Sequence, residues 1–221
     1  MIFFNVVCSL ISVVIVIEAF ETEYTKTEVS ETKTCKHLEE ELREPTFDLN
    51  LVIGRWKIFY AWNFHQDMFE DRCLYISFKN ATPSTINRIW NDMYEFLDTQ
   101  PEWSAALMVM SIFPGHDMLL FAEDSVPGKF IGVANFVRSY DNLKLQNSKI
   151  PLFKIQLKVL KEGQWLVVSD CNIGITTLSA RSDLIVNSSE EITSLAASLS
   201  IGKGFIACAT DFLILNQLNS K

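Results

Sequence analysis

Basic residues are scarce in this chain. Lys and Arg number 19 against 27 Asp and Glu, a net charge of -8 over 221 residues. A phosphate backbone repels such a surface, so nucleic acid is not an expected partner. Glycine and proline are also few, eight and six, which excludes collagen-like and low-complexity architectures. The three histidines, His37, His65 and His116, form no cluster, and no two cysteines stand in C-x-x-C spacing. The spacing signatures of a zinc site are therefore missing, and no metal is expected. The chain has no G-x-S-x-G elbow, no H-E-x-x-H pair, no glycine-rich phosphate loop and no internal repeat. Glu190-Glu191 is a carboxylate pair, but a helix start already accounts for it. The expectation is no catalytic residue and no enzyme.

Apolar and aromatic residues are plentiful. The chain is 48% hydrophobic, with 16 Phe and 5 Trp. A chain this apolar does not stay solvated, and its length suits one ordinary domain.

The N-terminus sets the expected compartment. Ile2 to Ile17 is almost entirely apolar and is followed by Glu18-Ala19-Phe20. The run fits a signal-peptide core and is short of the roughly 20 residues that span a bilayer. We expect a signal peptide over 1–19, cleaved after Ala19, and a secreted, extracellular protein with no stable membrane insertion. A retained anchor is the alternative, since no Lys or Arg stands near Met1. Residues 20–34 are acidic and lack apolar periodicity, which reads as a flexible leader. The domain then runs over 35–221. Cys8 departs with the signal, leaving Cys35, Cys73, Cys171 and Cys208. An even number in an exported chain reads as two disulfides, with three connectivities open. Asn80 and Asn187 head glycosylation sequons.

After Asn50 the chain breaks into short strand-like runs separated by turn residues. They are Gly54 to Asn63, Cys73 to Phe78, Glu102 to Ile112, Lys129 to Val137, Leu152 to Leu160, Trp165 to Cys171 and Gly174 to Arg181. Alternation is cleanest in the fifth of these. There Phe153, Ile155, Leu157 and Val159 face one way and Lys154, Gln156 and Lys158 the other, giving one apolar and one wet face. Thr85 to Gln100 carries both periods. Ile86, Ile89, Trp90, Met93 and Leu97 are spaced as in a helix, whereas Trp90, Tyr94 and Phe96 alternate around Asp92. With strands on either side, it is expected to be an eighth strand. Ser188 to Leu199 is expected to be a helix, capped by Ser188, acidic in its first turn, striped by Ile192, Leu195 and Leu199, and stopped by Gly202. Eight strands followed by one helix predict an all-β fold. It is an eight-stranded antiparallel up-and-down barrel with a C-terminal α-helix packed outside.

Three segments then carry a resemblance. Gly54-Arg55-Trp56 opens the first strand just after a leader, and Trp165-Leu-Val-Val-Ser-Asp-Cys171 is followed by a strand ending Leu178-Ser-Ala-Arg181 and a helix. In this order they resemble the lipocalin family over roughly Cys35 to Phe212, most closely its insect bilin-binding and apolipoprotein-D-like members. The resemblance implies pairing of Cys35 with Cys171 and of Cys73 with Cys208. It also implies that Trp56 and Arg181 meet at the closed end of the barrel as a cation–π pair, with Gly54 allowing the tight bend.

An eight-stranded barrel has a bore that holds one small ligand. If Trp56 points inward, Tyr60 and Trp62 line that bore. Phe153, Ile155 and Leu157 face them, Met108, Met110, Phe130 and Phe136 are further candidates, and Trp90, Tyr94 and Phe96 join if their segment is a strand. Asp92 is expected to be solvated. Phe113 to Gly128 reads equally as a lid over the mouth or as a long hairpin. The function expected is that of a secreted carrier of a small hydrophobic molecule: a lipid, sterol, retinoid, odorant or bilin-type pigment. No cofactor is obligatory, and a bilin or lipid would be cargo. The alternatives are a surface-binding module with a filled barrel and an isomerase- or synthase-type lipocalin.

Overall fold

The computed structural model describes residues 47–64, 73–113, 116–123, 126–135, 149–186 and 188–208. The expected signal peptide and leader, Cys35, Phe136, Asn187 and part of the 113–128 segment lie outside them. Eight antiparallel strands follow one another: β1 (Gly54–Trp62), β2 (Tyr75–Asn80), β3 (Ala106–Phe113), β4 (His116–Ala122), β5 (Lys129–Ala134), β6 (Phe153–Leu160), β7 (Trp165–Asp170) and β8 (Ile175–Arg181). Each pairs with the next, and β1 pairs with both β2 and β8, so the sheet closes into an up-and-down barrel. A ninth short strand, β9 (Phe205–Ile206), pairs with β1 at Tyr60 and Ala61, beyond the stretch that β2 covers. Backbone groups left open by the divergence of β2 are thereby used rather than exposed.

Strand number came out as eight through two errors that offset each other. The segment expected to be a strand over 85–100 contains a helix, α1 (Pro83–Met93). Thr82 caps it, accepting from the Thr85 N–H at 3.2 Å, and Pro83 occupies the first turn, where its missing donor does no harm. The helical period therefore outweighed the preference of the neighbouring strands. Ile89 and Met93 are buried, whereas Trp90 and Tyr94 are exposed. The strand that was missed is β4, inside the segment read as lid or hairpin. Its outer face is apolar too, so His-Asp-Met-Leu-Leu-Phe-Ala shows no alternation. The cause is α1. Arg88 bonds Asp117 at 2.6 Å and Asn135 bonds Asp92 at 2.7 Å, which lays the helix across the outside of β4 and the end of β5. Leu119, on the same face as Asp117, is fully buried. A strand covered on both sides reads as a continuous apolar run.

The C-terminal helix, α2 (Ser189–Ser198), is capped by Ser188, which accepts from the Glu191 N–H at 3.2 Å. Its Ile192 and Ala196, with Leu199, pack against Phe59, Trp62, Trp165, Val167, Leu178 and Ala180. These strand residues therefore face outward. Cross-strand partners share a face, so the register then fixes which residues of every strand point into the bore.

Candidate functional site

The barrel has one closed end. The Arg181 guanidinium carbon lies 4.1 Å from the Trp56 ring centroid, and the two residues are cross-strand partners. Below them the chain enters through a 3-10 turn, Leu49–Leu51, capped by Asp48. Trp56 Nε1 donates to the Val52 carbonyl at 2.7 Å. Arg181 donates from Nε to the Gly163 carbonyl at 3.1 Å, from Nη1 to Ile53 at 2.7 Å and from Nη2 to Leu51. One planar fork thus satisfies three backbone carbonyls at the point where two loops meet. Gly54 has φ +135, and a Cβ there would run into the guanidinium, so only glycine fits. Phe47 packs edge-on against Phe130 at 5.6 Å on the same closing layer.

Above this plug, the pairing register assigns the inner wall. Trp56 pairs with Ile76, and Phe78 with Met110, on β1 to β3. Met108 pairs with Leu120 and Met110 with Met118, and Phe130 lies opposite Ala122. On the far side Phe130 pairs with Ile155, Ile155 with Asp170, Leu157 with Val168, and Val159 with Leu166. Met108, Met110, Phe130, Phe153, Ile155 and Leu157 therefore all face inward. Five other expected residues do not. The β1–β8 register shifts between Ile58 and Tyr60. This β-bulge reverses the parity of the rest of β1. Tyr60 pairs with Leu178 and Trp62 with Thr176, both on the outer face, where Trp62 packs beneath α2 and donates to the Gly202 carbonyl at 3.2 Å. Ala61 takes the inward place. Trp90 and Tyr94 lie exposed on α1, their rings 5.3 Å apart. Phe96 is half-buried in a short segment that bonds Ile150. Asp92 is neither in the bore nor simply solvated, since it accepts from Asn135.

Apart from Asn80, exposed at the end of β2 and paired with Met108, the polar groups on the inner wall among the described residues stand on β7 and β8, and composition gave no sign of them. Thr177 pairs with Val168 and Ala61, and Ser179 with Leu166 and Ile58, so both hydroxyls face inward. Both residues are buried, and neither oxygen has a hydrogen-bond partner. Their outward neighbours behave differently, with Ser169 Oγ and Thr176 Oγ1 bonding each other at 2.8 Å. At the mouth end Asp170 accepts from the Asn172 N–H at 2.9 Å and from that of Ile173 at 3.4 Å. Burial pushes its carboxyl up to about 6, although these two donors pull the other way.

Cys73 and Cys208 form a disulfide, Cα atoms 4.9 Å apart, closing a separation of 135 residues. Cys171 is also disulfide-bonded, and Cys35, its expected partner, lies outside the described residues. Asn80 is exposed at the end of β2, and the hydroxyl of its sequon residue Thr82 serves as the cap of α1. Among the described residues no three His, Cys, Asp or Glu are grouped to hold a metal ion. No helix among them is long and apolar enough to cross a membrane. A scan of protein-family models and a search of curated proteins found no match to this chain.

Proposed function

We propose that this chain is a secreted, lipocalin-like carrier that holds a small hydrophobic molecule in its barrel. The observation that carries the reading is a closed eight-stranded wall whose inner face is mostly apolar, sealed at one end by Trp56 and Arg181. Burial of apolar area supplies the affinity, at about 25 cal/mol per Å², and Met108, Met110 and Met118 let the wall adapt to its guest. A non-enzymatic role is supported by the state of the cysteines, because Cys73, Cys171 and Cys208 are all disulfide-bonded and offer no thiolate nucleophile. The disulfides accord with an oxidising compartment. The cargo classes remain lipid, sterol, retinoid, odorant or bilin.

A second reading rests on α1. Trp90 and Tyr94 are 40% and 48% exposed and pack against one another at a tilt, and paired exposed aromatics of this kind are what a surface-binding module uses. Native mass spectrometry of the protein from its own source separates the two. Carriage predicts a reproducible small adduct that is lost on denaturation. A bare mass from several preparations, together with failure of the refolded protein to take up N-phenyl-1-naphthylamine, refutes carriage and leaves the surface role.

A further inference from the structure

The inner wall is not uniformly apolar, and the exceptions are arranged. Thr177 and Ser179 stand two residues apart on β8, on the same face. Their side chains are therefore about 7 Å apart along the strand. Thr177 is 4% exposed and Ser179 fully buried, and neither hydroxyl finds a protein partner. A buried hydroxyl without a partner destabilises a fold, and such groups in native proteins are normally satisfied. The other three buried unpartnered side-chain atoms, on Asn135, Gln156 and Trp165, belong to outward-facing positions. Among the described residues, only this pair looks inward.

The bulge in β1 trims the wall opposite Thr177. An unbroken β1 would have put Tyr60 or Trp62 on the inner face beside β8. The shift after Ile58 instead places Ala61, with a single methyl, directly opposite Thr177. Aromatic bulk is thereby kept away from Thr177, while Ser179, on the plug side of the bulge, stays opposite Ile58.

We propose that Thr177 and Ser179 form a hydrogen-bonding seam on β8 that takes a neutral oxygen-bearing group, hydroxyl or carbonyl, of an otherwise apolar ligand. This rests on the carrier reading and narrows it: a plain hydrocarbon leaves both hydroxyls unsatisfied, whereas an oxygenated guest completes them. A serine or threonine hydroxyl both donates and accepts, so alcohols and ketones alike fit.

The test uses the full mature chain and the double variant Thr177→Val/Ser179→Ala, which keeps shape and removes both hydroxyls. N-phenyl-1-naphthylamine serves as the apolar reporter and is displaced by 2-naphthol or by 2-methylnaphthalene, a pair of matched size. Removing the seam is expected to shift the ratio of their apparent Kd values about fivefold or more against 2-naphthol, while the reporter still binds. An unchanged ratio with the reporter bound overturns the seam and leaves carriage standing. A wild-type protein that takes up neither the reporter nor the competitors overturns both. Thermal melts without ligand give an independent check. The Tm of the variant is expected to rise, because one unsatisfied hydroxyl gives way to a methyl and the other to hydrogen. A fall of several degrees would show that the hydroxyls are held by the protein itself and would refute the seam.

Discussion

The two ends of this barrel are built on opposite principles. At the closed end the plug's own donors all have acceptors: the Trp56 indole bonds Val52, and the Arg181 fork bonds Leu51, Ile53 and Gly163; only the outward-facing Trp165 indole of that layer is without one among the described residues. The arrangement is over-determined, and nothing in it is left to interact with a guest. Towards the mouth the balance changes. Asp170, at the rim, holds a carboxyl in surroundings that disfavour its charge, and on the way up from the plug the inward hydroxyls of Ser179 and then Thr177 are unpaired. Polar groups are fully used in the plug and left open above it, the division that the carrier reading expects.

The largest effect is expected from breaking the closed end. Arg181→Ala removes the stack on Trp56 and leaves three backbone carbonyls without their donor, a loss of about 3–5 kcal/mol in unfolding free energy. Arg181→Lys should recover only a minor part, because an ammonium cannot serve three carbonyls in one plane while covering the indole. Urea unfolding followed by Trp fluorescence measures both. A lysine variant as stable as the wild type would show that charge alone, rather than the fork, holds the plug.

How far these two regions were legible in the sequence differs for a physical reason. The closed end was legible because its parts are short and local: a glycine two residues before a tryptophan, and an arginine ending the last strand. β6 was legible because Lys154 and Lys158 are wet on one side. β4 was not, since α1 buries its outer face and erases the alternation. The bore lining was only half legible. One bulge at Phe59 turned Tyr60 and Trp62 outward, and a bulge is a register event between strands that a single strand's own pattern does not carry. Thr177 and Ser179 escaped notice because a hydroxyl in a strand is ordinary until its partners can be counted.

A smaller effect, from the mouth, sharpens the contrast. The Asp170 carboxyl is raised to about 6 in the folded chain from an ordinary value of 3.8, chiefly by burial. Between these values the unfolded chain has lost the proton and the folded chain keeps it, so stability falls as pH rises from about 4 to about 6 and stays lower above. The decline should amount to about 2–3 kcal/mol at most. Asp170→Asn should remove this slope while leaving the closed end intact. Thermal melts of both proteins between pH 4 and pH 7 decide it, and parallel curves would show that Asp170 ionises freely.

The smallest effect has the opposite sign. Asp117, on the outer wall near the same mouth, is pushed up by burial, but bonds from Ser111 and Arg88 and the charges of Arg88 and Lys79 outweigh this and hold it below the usual value. Its contribution is therefore present at neutral pH and lost as pH falls through the lowered value. Arg88→Ala removes the 2.6 Å ion pair that ties α1 to β4. Both partners are partly solvated, so less than about 1 kcal/mol is expected at neutral pH. The difference between variant and wild type should shrink further in acid. The same substitution frees one of the polar ties holding α1, so hydrogen exchange should quicken in Pro83–Met93 while the Trp56 and Arg181 layer is unmoved. Equal quickening at the closed end would mean that the two ends are one cooperative unit, and the division of labour between them would have to be abandoned.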